Sequence, residues 1–191
     1  MLNQKEQFIL EVLDYKKNGL YLELGAFHST QQSNTYNLEV NYNWSGISLE
    51  IDPVRCSEFN SNRSNPCFGD ALTFNYIEYF KKNNFPNTLD FLQINIDSGY
   101  HPVSGRPIGN PANPLLALCA IPINLYRFSI IMFEHDTNMY FKNSYIRDAQ
   151  RCIFDALGYS LVCSSVSEDW WIDPQTIPMI EYRKFFNIQF I

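Results

Sequence analysis

The chain has 191 residues, 46% hydrophobic and 16% aromatic, with a formal charge of −6; this fits one folded domain, 1–191, with a sizeable core and argues against disorder. The 14 Lys and Arg are scattered, which points away from nucleic acid, because phosphate binding needs a clustered basic excess. No apolar run approaches the ~20 residues of a membrane helix and residues 1–6 hold no signal-peptide stretch, so no membrane partner and a cytoplasmic location are expected.

Residues 3–17 read as a helix: Asn3 and Glu6 have capping-box spacing, Phe8, Ile9, Val12 and Leu13 share a face, and Gly19 suits the stop. A short apolar strand from Leu20 then halts at Gly25, and a polar segment leads into a helix over 33–42. Residues 44–49 form a second strand running into Glu50-Ile51-Asp52-Pro53, where Asp52 caps a helix and Pro53 takes its first position. Cys67-Phe68 is a short third strand before Gly69-Asp70-Ala71, followed by a helix with Phe74, Ile77 and Phe80 inward.

Residues 88–96 make a fourth strand, near-continuously apolar as expected of a sheet covered on both faces. Three glycines and four prolines fall within 98–114, a length that suggests a flap over the sheet edge, with a short helix over 115–119 behind it. A fifth strand over 128–133 closes on Glu134-His135-Asp136. Asn143 or Ser144 caps the next helix, with Tyr145, Ile146, Ala149, Cys152, Ile153, Ala156 and Leu157 on one face and Gly158 as its stop. A sixth strand spans 159–166, 168–174 begins a seventh or a turn, and the tail from 175 is open to a helix or a strand. Five widely spaced cysteines without a C-x-x-C pair are expected to be buried and reduced. The alternation of strands and helices predicts an α/β fold, a mostly parallel sheet with helices on both faces.

Polar residues recur at the ends of the predicted strands: Glu23, Glu50, Asp70, Asn95 with Asp97, and Glu134 with His135. Parallel strands joined by right-handed crossovers bring those ends to one edge, where α/β sheets bind ligands. An acid after the second strand can accept both hydroxyls of a ribose, and Gly25 leaves room beside it. Neither G-x-G-x-x-G nor G-x-x-x-x-G-K-[ST] occurs, so a nucleoside ligand without a diphosphate is the better expectation.

In this order the chain resembles the FkbM-like S-adenosylmethionine-dependent methyltransferases, through Glu23-Leu24-Gly25-Ala26, Ser33-Asn34-Thr35, Gly46-Ile47-Ser48-Leu49-Glu50, the stretch from Asp90 to Asp97, Phe133-Glu134-His135-Asp136, Leu157-Gly158-Tyr159 and Glu168-Asp169-Trp170-Trp171. The resemblance implies the Rossmann-like class I methyltransferase fold, a seven-stranded sheet with an antiparallel last strand. It implies S-adenosyl-L-methionine as cofactor, with Glu23, Gly25, Ala26, Phe27, Ser33 and Asn34 at its methionine part. Glu50 with Ile51 then serves the ribose, Asp70 with Ala71 the adenine, and Asn95 the methyl-donor end. His135 is the expected general base, with Asp97 and Glu134 orienting it or a small-molecule or glycan acceptor. No metal is expected. Two departures, Ser29 where the family often has glycine and Asn95 where it has Asp, leave a binding module without turnover as the competing reading.

Overall fold

A computed structural model describes residues 2–96, 110–137 and 144–185. The first half builds a parallel core. Helix α1 (Gln4–Val12) opens on the capping box, with Asn3 accepting from the Glu6 amide and Glu6 from that of Asn3. It ends short of the expected 17 because Asp14 and Tyr15 turn the backbone to positive φ. Then follow β1 (Leu20–Leu24), α2 (Tyr36–Tyr42), β2 (Ser45–Leu49), α3 (Pro53–Asn62), β3 (Cys67–Phe68), α4 (Tyr76–Lys82) and β4 (Thr88–Ile94). Asp52 caps α3 through the amides of Val54 and Arg55, with Pro53 at its start. Helix α2 begins three residues later than expected, since the Ser33 hydroxyl takes the amides of Thr35 and Tyr36 in a turn before it.

The second half is α5 (Asn113–Ala120), β5 (Arg127–Glu134), α6 (Ser144–Ala156), β6 (Ser160–Ser164), β7 (Glu168–Ile172) and α7 (Met179–Tyr182), with a 3-10 turn at Arg183–Phe185. The seven strands run in the order β3-β2-β1-β4-β5-β7-β6. All neighbours from β3 to β5 are parallel, and β7 enters between β5 and β6, antiparallel to both. The switch point, where chain order reverses, lies between β1 and β4.

Each face of the sheet carries its own core. Leu22, Leu24, Leu92, Ile94, Ile131, Phe133 and Trp171 pack against Phe80 of α4, Leu118 of α5 and Phe154 of α6. On the opposite face Tyr21, Phe91, Ile130, Met132 and Trp170 meet Phe8 and Ile9 of α1, Leu38 of α2 and Tyr182 of α7. The adjacent tryptophans thus seal opposite faces, as strand alternation requires.

Several expected inward positions are corrected. Ile77 and Tyr145 are exposed, and so are Cys119, Cys152 and Ala156. Helix α6 instead buries Ile146, Gln150 and Phe154, a strict i, i+4, i+8 stripe. Cys67 and Cys163 are buried, and the five thiols are free. Residues 98–109 of the expected flap, His101, Asn143 and the end of the tail lie outside the described residues. Among the described residues no helix is long and apolar enough to cross a membrane.

Candidate functional site

Side chains alternate along a strand, so register decides which polar ends share a face. Glu23 lies opposite Ser48 of β2 and Gln93 of β4, and Gln93 opposite Met132 of β5. Two residues further on, Glu50, Gly25, Asn95 and Glu134 continue the same rows on the face of α1 and α2. Here a cleft of about 1070 Å3 opens beside the switch point. Glu23, Gly25, Ala26, Phe27, Ser33, Asn34, Glu50, Ile51, Asp70, Ala71 and Asn95 border it, as does Glu134. The structure thereby brings together every described residue of the expected cofactor set. Asp97 lies outside the described residues.

Gly25 holds the first loop against β4. Its φ is +81°, and a Cβ there would lie 1.7 Å from the Asn95 carbonyl oxygen. Glycine is required here by the chain's own backbone. The Gly25 and Ala26 amides donate to the Leu49 carbonyl and the Phe27 amide to Glu50 at 2.8 Å. The amides of the first three residues of this loop are therefore taken and not spare for a phosphate. Phe27 does not plug the hollow: at φ +50° its ring swings out, under the Arg55 guanidinium at 3.9 Å.

Glu23 sits 1% exposed at the bottom of the cleft, its Oε2 accepting from Thr35 Oγ1 at 2.9 Å and Ser48 Oγ at 2.7 Å. Burial pushes its carboxyl above the usual carboxylate range, against the opposing pull of Arg63 and the two hydroxyls. Arg63 itself has no motif to mark it, and sequence reasoning passed over it. It stands at the end of α3 with a fully buried guanidinium, paired with Glu39 at 2.7 Å. It also donates to Thr35 Oγ1, Tyr21 Oη, the Ser29 carbonyl and Ser33 Oγ, and stacks over Phe59. The one available hint was Glu39, a carboxylate beside the core-facing Leu38 that needed a partner.

Glu50 uses one oxygen for the Phe27 amide and the other for that of Asp52, leaving lone pairs on each for a diol. Ile51 beside it is 74% exposed, an apolar platform at the rim. Asp70 accepts from the Leu72 amide, which fixes the turn under the far end of the cleft. Ser29 is turned away: its hydroxyl donates to Glu58 and accepts from Asn62. The serine that stands where the resemblance leads one to expect glycine therefore does not border the cleft.

His135 and Glu134 part company at the end of β5. Glu134 borders the cleft, whereas His135, one residue on, falls to the opposite face with a side chain of no exposure. Its Nδ1 shares a proton with Thr137 Oγ1 at 2.8 Å and its Nε2 faces Asp169 Oδ1 at 3.6 Å. Asp169 accepts from Gln150 at 2.5 Å and from Arg151 on both oxygens. Burial would raise the Asp169 carboxyl, but Arg151 and His135 outweigh it and hold the group at about 2. This polar cluster belongs to the packing of α6 on β7. Among the described residues no group of three or more His, Cys, Asp and Glu is placed to hold a metal.

No protein-family model matches the chain, and no curated protein matches it. Solved structures do. Human Methyltransferase-like protein 13 in complex with SAH superposes with a TM-score of 0.55 at 13% identity, over 96% of this chain and 89% of that one. The O-methyltransferase from Bacillus cereus in complex with SAH gives 0.52 at 16% identity, over 90% and 80%. The Methanococcus jannaschii fibrillarin pre-rRNA processing protein gives 0.50 at 14%, over 89% and 76%. The fold is the Rossmann-like class I methyltransferase fold. At such identities the likeness is one of architecture, including the antiparallel β7 that the sequence resemblance implied.

Proposed function

We propose that this protein is an S-adenosylmethionine-dependent methyltransferase of the FkbM-like kind, acting in the cytosol on a hydroxyl of a small-molecule or glycan acceptor. The observation that carries this reading is the gathering of Glu23, Gly25, Glu50, Asp70 and Asn95 around one cleft at the β1/β4 switch point. The fit is chemical as well as topological. Glu50 presents two acceptor oxygens for a ribose diol, Ile51 an apolar surface for a ring, and the amides of Gly25, Ala26 and Phe27 are already taken and not offered to a diphosphate. Bound there, S-adenosylmethionine supplies a methyl group on a sulfonium. The residues of the cleft hold donor and acceptor in line and exclude water.

A hydroxyl acceptor must lose its proton as it attacks. Glu134, on the cleft face of β5, takes that role in this reading. His135 is withdrawn from it, because its ring is buried on the other face. Nucleic acid is disfavoured as acceptor: Glu23, Glu50, Asp52, Asp70 and Glu134 border the cleft against Lys5 and Arg55, and Lys5 is paired with Glu168. With Ser29 turned away, Asn95 alone is left to support a module without turnover.

Calorimetric titration with S-adenosylmethionine and S-adenosylhomocysteine tests the proposal. Both are expected to bind in the micromolar range, and Glu50→Ala to weaken them at least about 30-fold by removing two hydrogen bonds to a charged group. Failure of the unmodified protein to bind either ligand refutes the reading. Binding of both without methyl transfer to any hydroxyl acceptor favours the module.

A further inference from the structure

Two of the five cysteines lie against each other beside the cleft. Cys56 stands in the first turn of α3, half-buried, and Cys67 opens β3, buried. With Ala26 and Phe59 they make a small core of their own, separate from those on the two faces of the sheet, and the two thiols interact directly. Asn60, one turn after Cys56, sets the pairing. Its side chain accepts from the Cys67 amide at 2.8 Å and donates to the Cys67 carbonyl at 2.9 Å, while its Nδ2 also lies 3.8 Å from Cys56 Sγ. The strand is thereby fastened to the helix at the level of the two sulfurs.

Thiols in contact have a chemistry that a lone one lacks. Cys56 is the sulfur that solvent reaches, whereas Cys67 is 4% exposed. Burial, the Cys56 thiol and the carboxylates of Glu23 and Glu50 push the Cys67 thiol up, so it rests protonated. A soluble oxidant therefore meets Cys56 first, and Cys67 reacts with what Cys56 has become. Metal binding is not the use of the pair: among the described residues no third His, Cys, Asp or Glu joins them in a group placed to hold an ion.

We infer that Cys56 and Cys67 are a reversible dithiol–disulfide pair, oxidised by a low-molecular-weight disulfide such as oxidised glutathione. In the first step Cys56 Sγ gives up its proton and bonds to one sulfur of the small disulfide, whose own S–S bond breaks and releases one thiol. In the second, Cys67 Sγ attacks Cys56 Sγ, and its proton leaves with the second departing thiol. The two cysteines lose two electrons and two protons in all, and the small disulfide becomes two thiols. The new bond closes a loop of about 12 residues and ties α3 to β3. Arg55 of α3 and Asp70 just after β3 border the cleft, and Ala26, also on that border, packs on the pair. Oxidation thus fastens one wall of the cleft through two residues that do not border it. The inference stands independently of the ligand proposed above.

Incubating the reduced full chain with oxidised glutathione decides it. Of its five free thiols those of Cys56 and Cys67 are expected to disappear together, and peptide mapping to find the two residues joined. Dithiothreitol is expected to restore both, and the joined form to melt roughly 5–10 °C higher than the reduced one. Cys56→Ser is expected to form no link to Cys67 and to show no such rise. If that variant does not fold, the mapping on the unmodified protein decides alone. Glutathione that stays on Cys56 as a mixed disulfide overturns the inference, because Cys67 is then out of reach. So does oxidation confined to the exposed Cys119 and Cys152. A 56–67 link that lowers the melting temperature overturns it as well, since the native packing then does not hold the sulfurs at bonding range.

Discussion

Glu23 and Asp169 are both carboxylates with 1% exposure or less, both on the sheet, and burial leaves them in opposite states. Asp169 is saturated: Arg151 and Gln150 donate to it, His135 stands at 3.6 Å, and its carboxyl falls to about 2. Glu23 has two hydroxyls on one oxygen, a cation only at second hand through Thr35, and a raised carboxyl. Donors on both oxygens tie Asp169 into the packing of α6 on β7, whereas both hydroxyls that reach Glu23 share Oε2 at the bottom of the cleft. The difference separates the two faces of the sheet, since Asp169 lies under α6 and Glu23 under α2.

The most severe way to break the open side is Gly25→Ala. A Cβ 1.7 Å from the Asn95 carbonyl, at φ +81°, forces β1 and β4 apart at the point where the Glu23 and Gln93 rows meet. A loss of more than about 3 kcal/mol is expected, together with loss of ligand binding. Thermal unfolding with and without S-adenosylhomocysteine reads both. A protein of unchanged melting temperature contradicts the packing described here.

On the closed side, Asp169→Asn removes the carboxylate that pairs with Arg151 and is expected to cost about 3 kcal/mol, or roughly 6–12 °C in melting temperature for a chain of this size. Ligand affinity of the folded variant should stay within about 2-fold. Acid tests the same group without mutation. Its folded pKa lies below the unfolded value, so its stabilisation is complete above the ordinary carboxylate range and is lost as pH falls towards about 2. Urea titrations between pH 5 and 2 should show the unmodified protein losing about 2 kcal/mol that Asp169→Asn does not lose.

Glu23→Gln sharpens the contrast because its effect on stability runs the other way. The folded pKa of Glu23 is raised, so its contribution is greatest at low pH and falls as pH climbs through the unfolded value to the folded one. The neutral amide keeps acceptors for Thr35 and Ser48 and removes a buried charge. Stability at pH 7 should change by less than about 1 kcal/mol, in the stabilising direction, while S-adenosylhomocysteine affinity drops at least about 30-fold. A destabilised variant with intact binding would make Glu23 another Asp169.

What could be read in the sequence follows from how local each signal is. The capping box at Asn3, the Asp52-Pro53 start of α3 and the two-residue β3 are local chemistry, and the structure has them where they were expected. Gathering the strand ends at one edge needed only alternation and crossover handedness. Three things were beyond it. Gln93 hid in a strand read as near-continuously apolar, and only the register beside Glu23 gives it meaning. Arg63 draws its partners from 24 to 42 residues away, so no window contains the cluster. The placing of β7 between β5 and β6 is a matter of strand order, which no local pattern encodes.

His135 is where a sequence pair misleads, and it gives the mildest of the predicted effects. Glu134-His135 reads as one polar unit at a strand end, yet a period of two sends neighbours to opposite faces. The ring ends up between Thr137 and Asp169, where a neutral amide of similar reach can serve. His135→Gln is therefore expected to change methyl-transfer rate less than about 3-fold and to cost about 1 kcal/mol, the worth of one hydrogen bond. The rate is read as a pH profile for the two proteins. Loss of an ionisation near neutral pH in the variant, with a 100-fold slower rate, would return the imidazole to the reacting atoms. Superimposable profiles leave it on the closed side with Asp169.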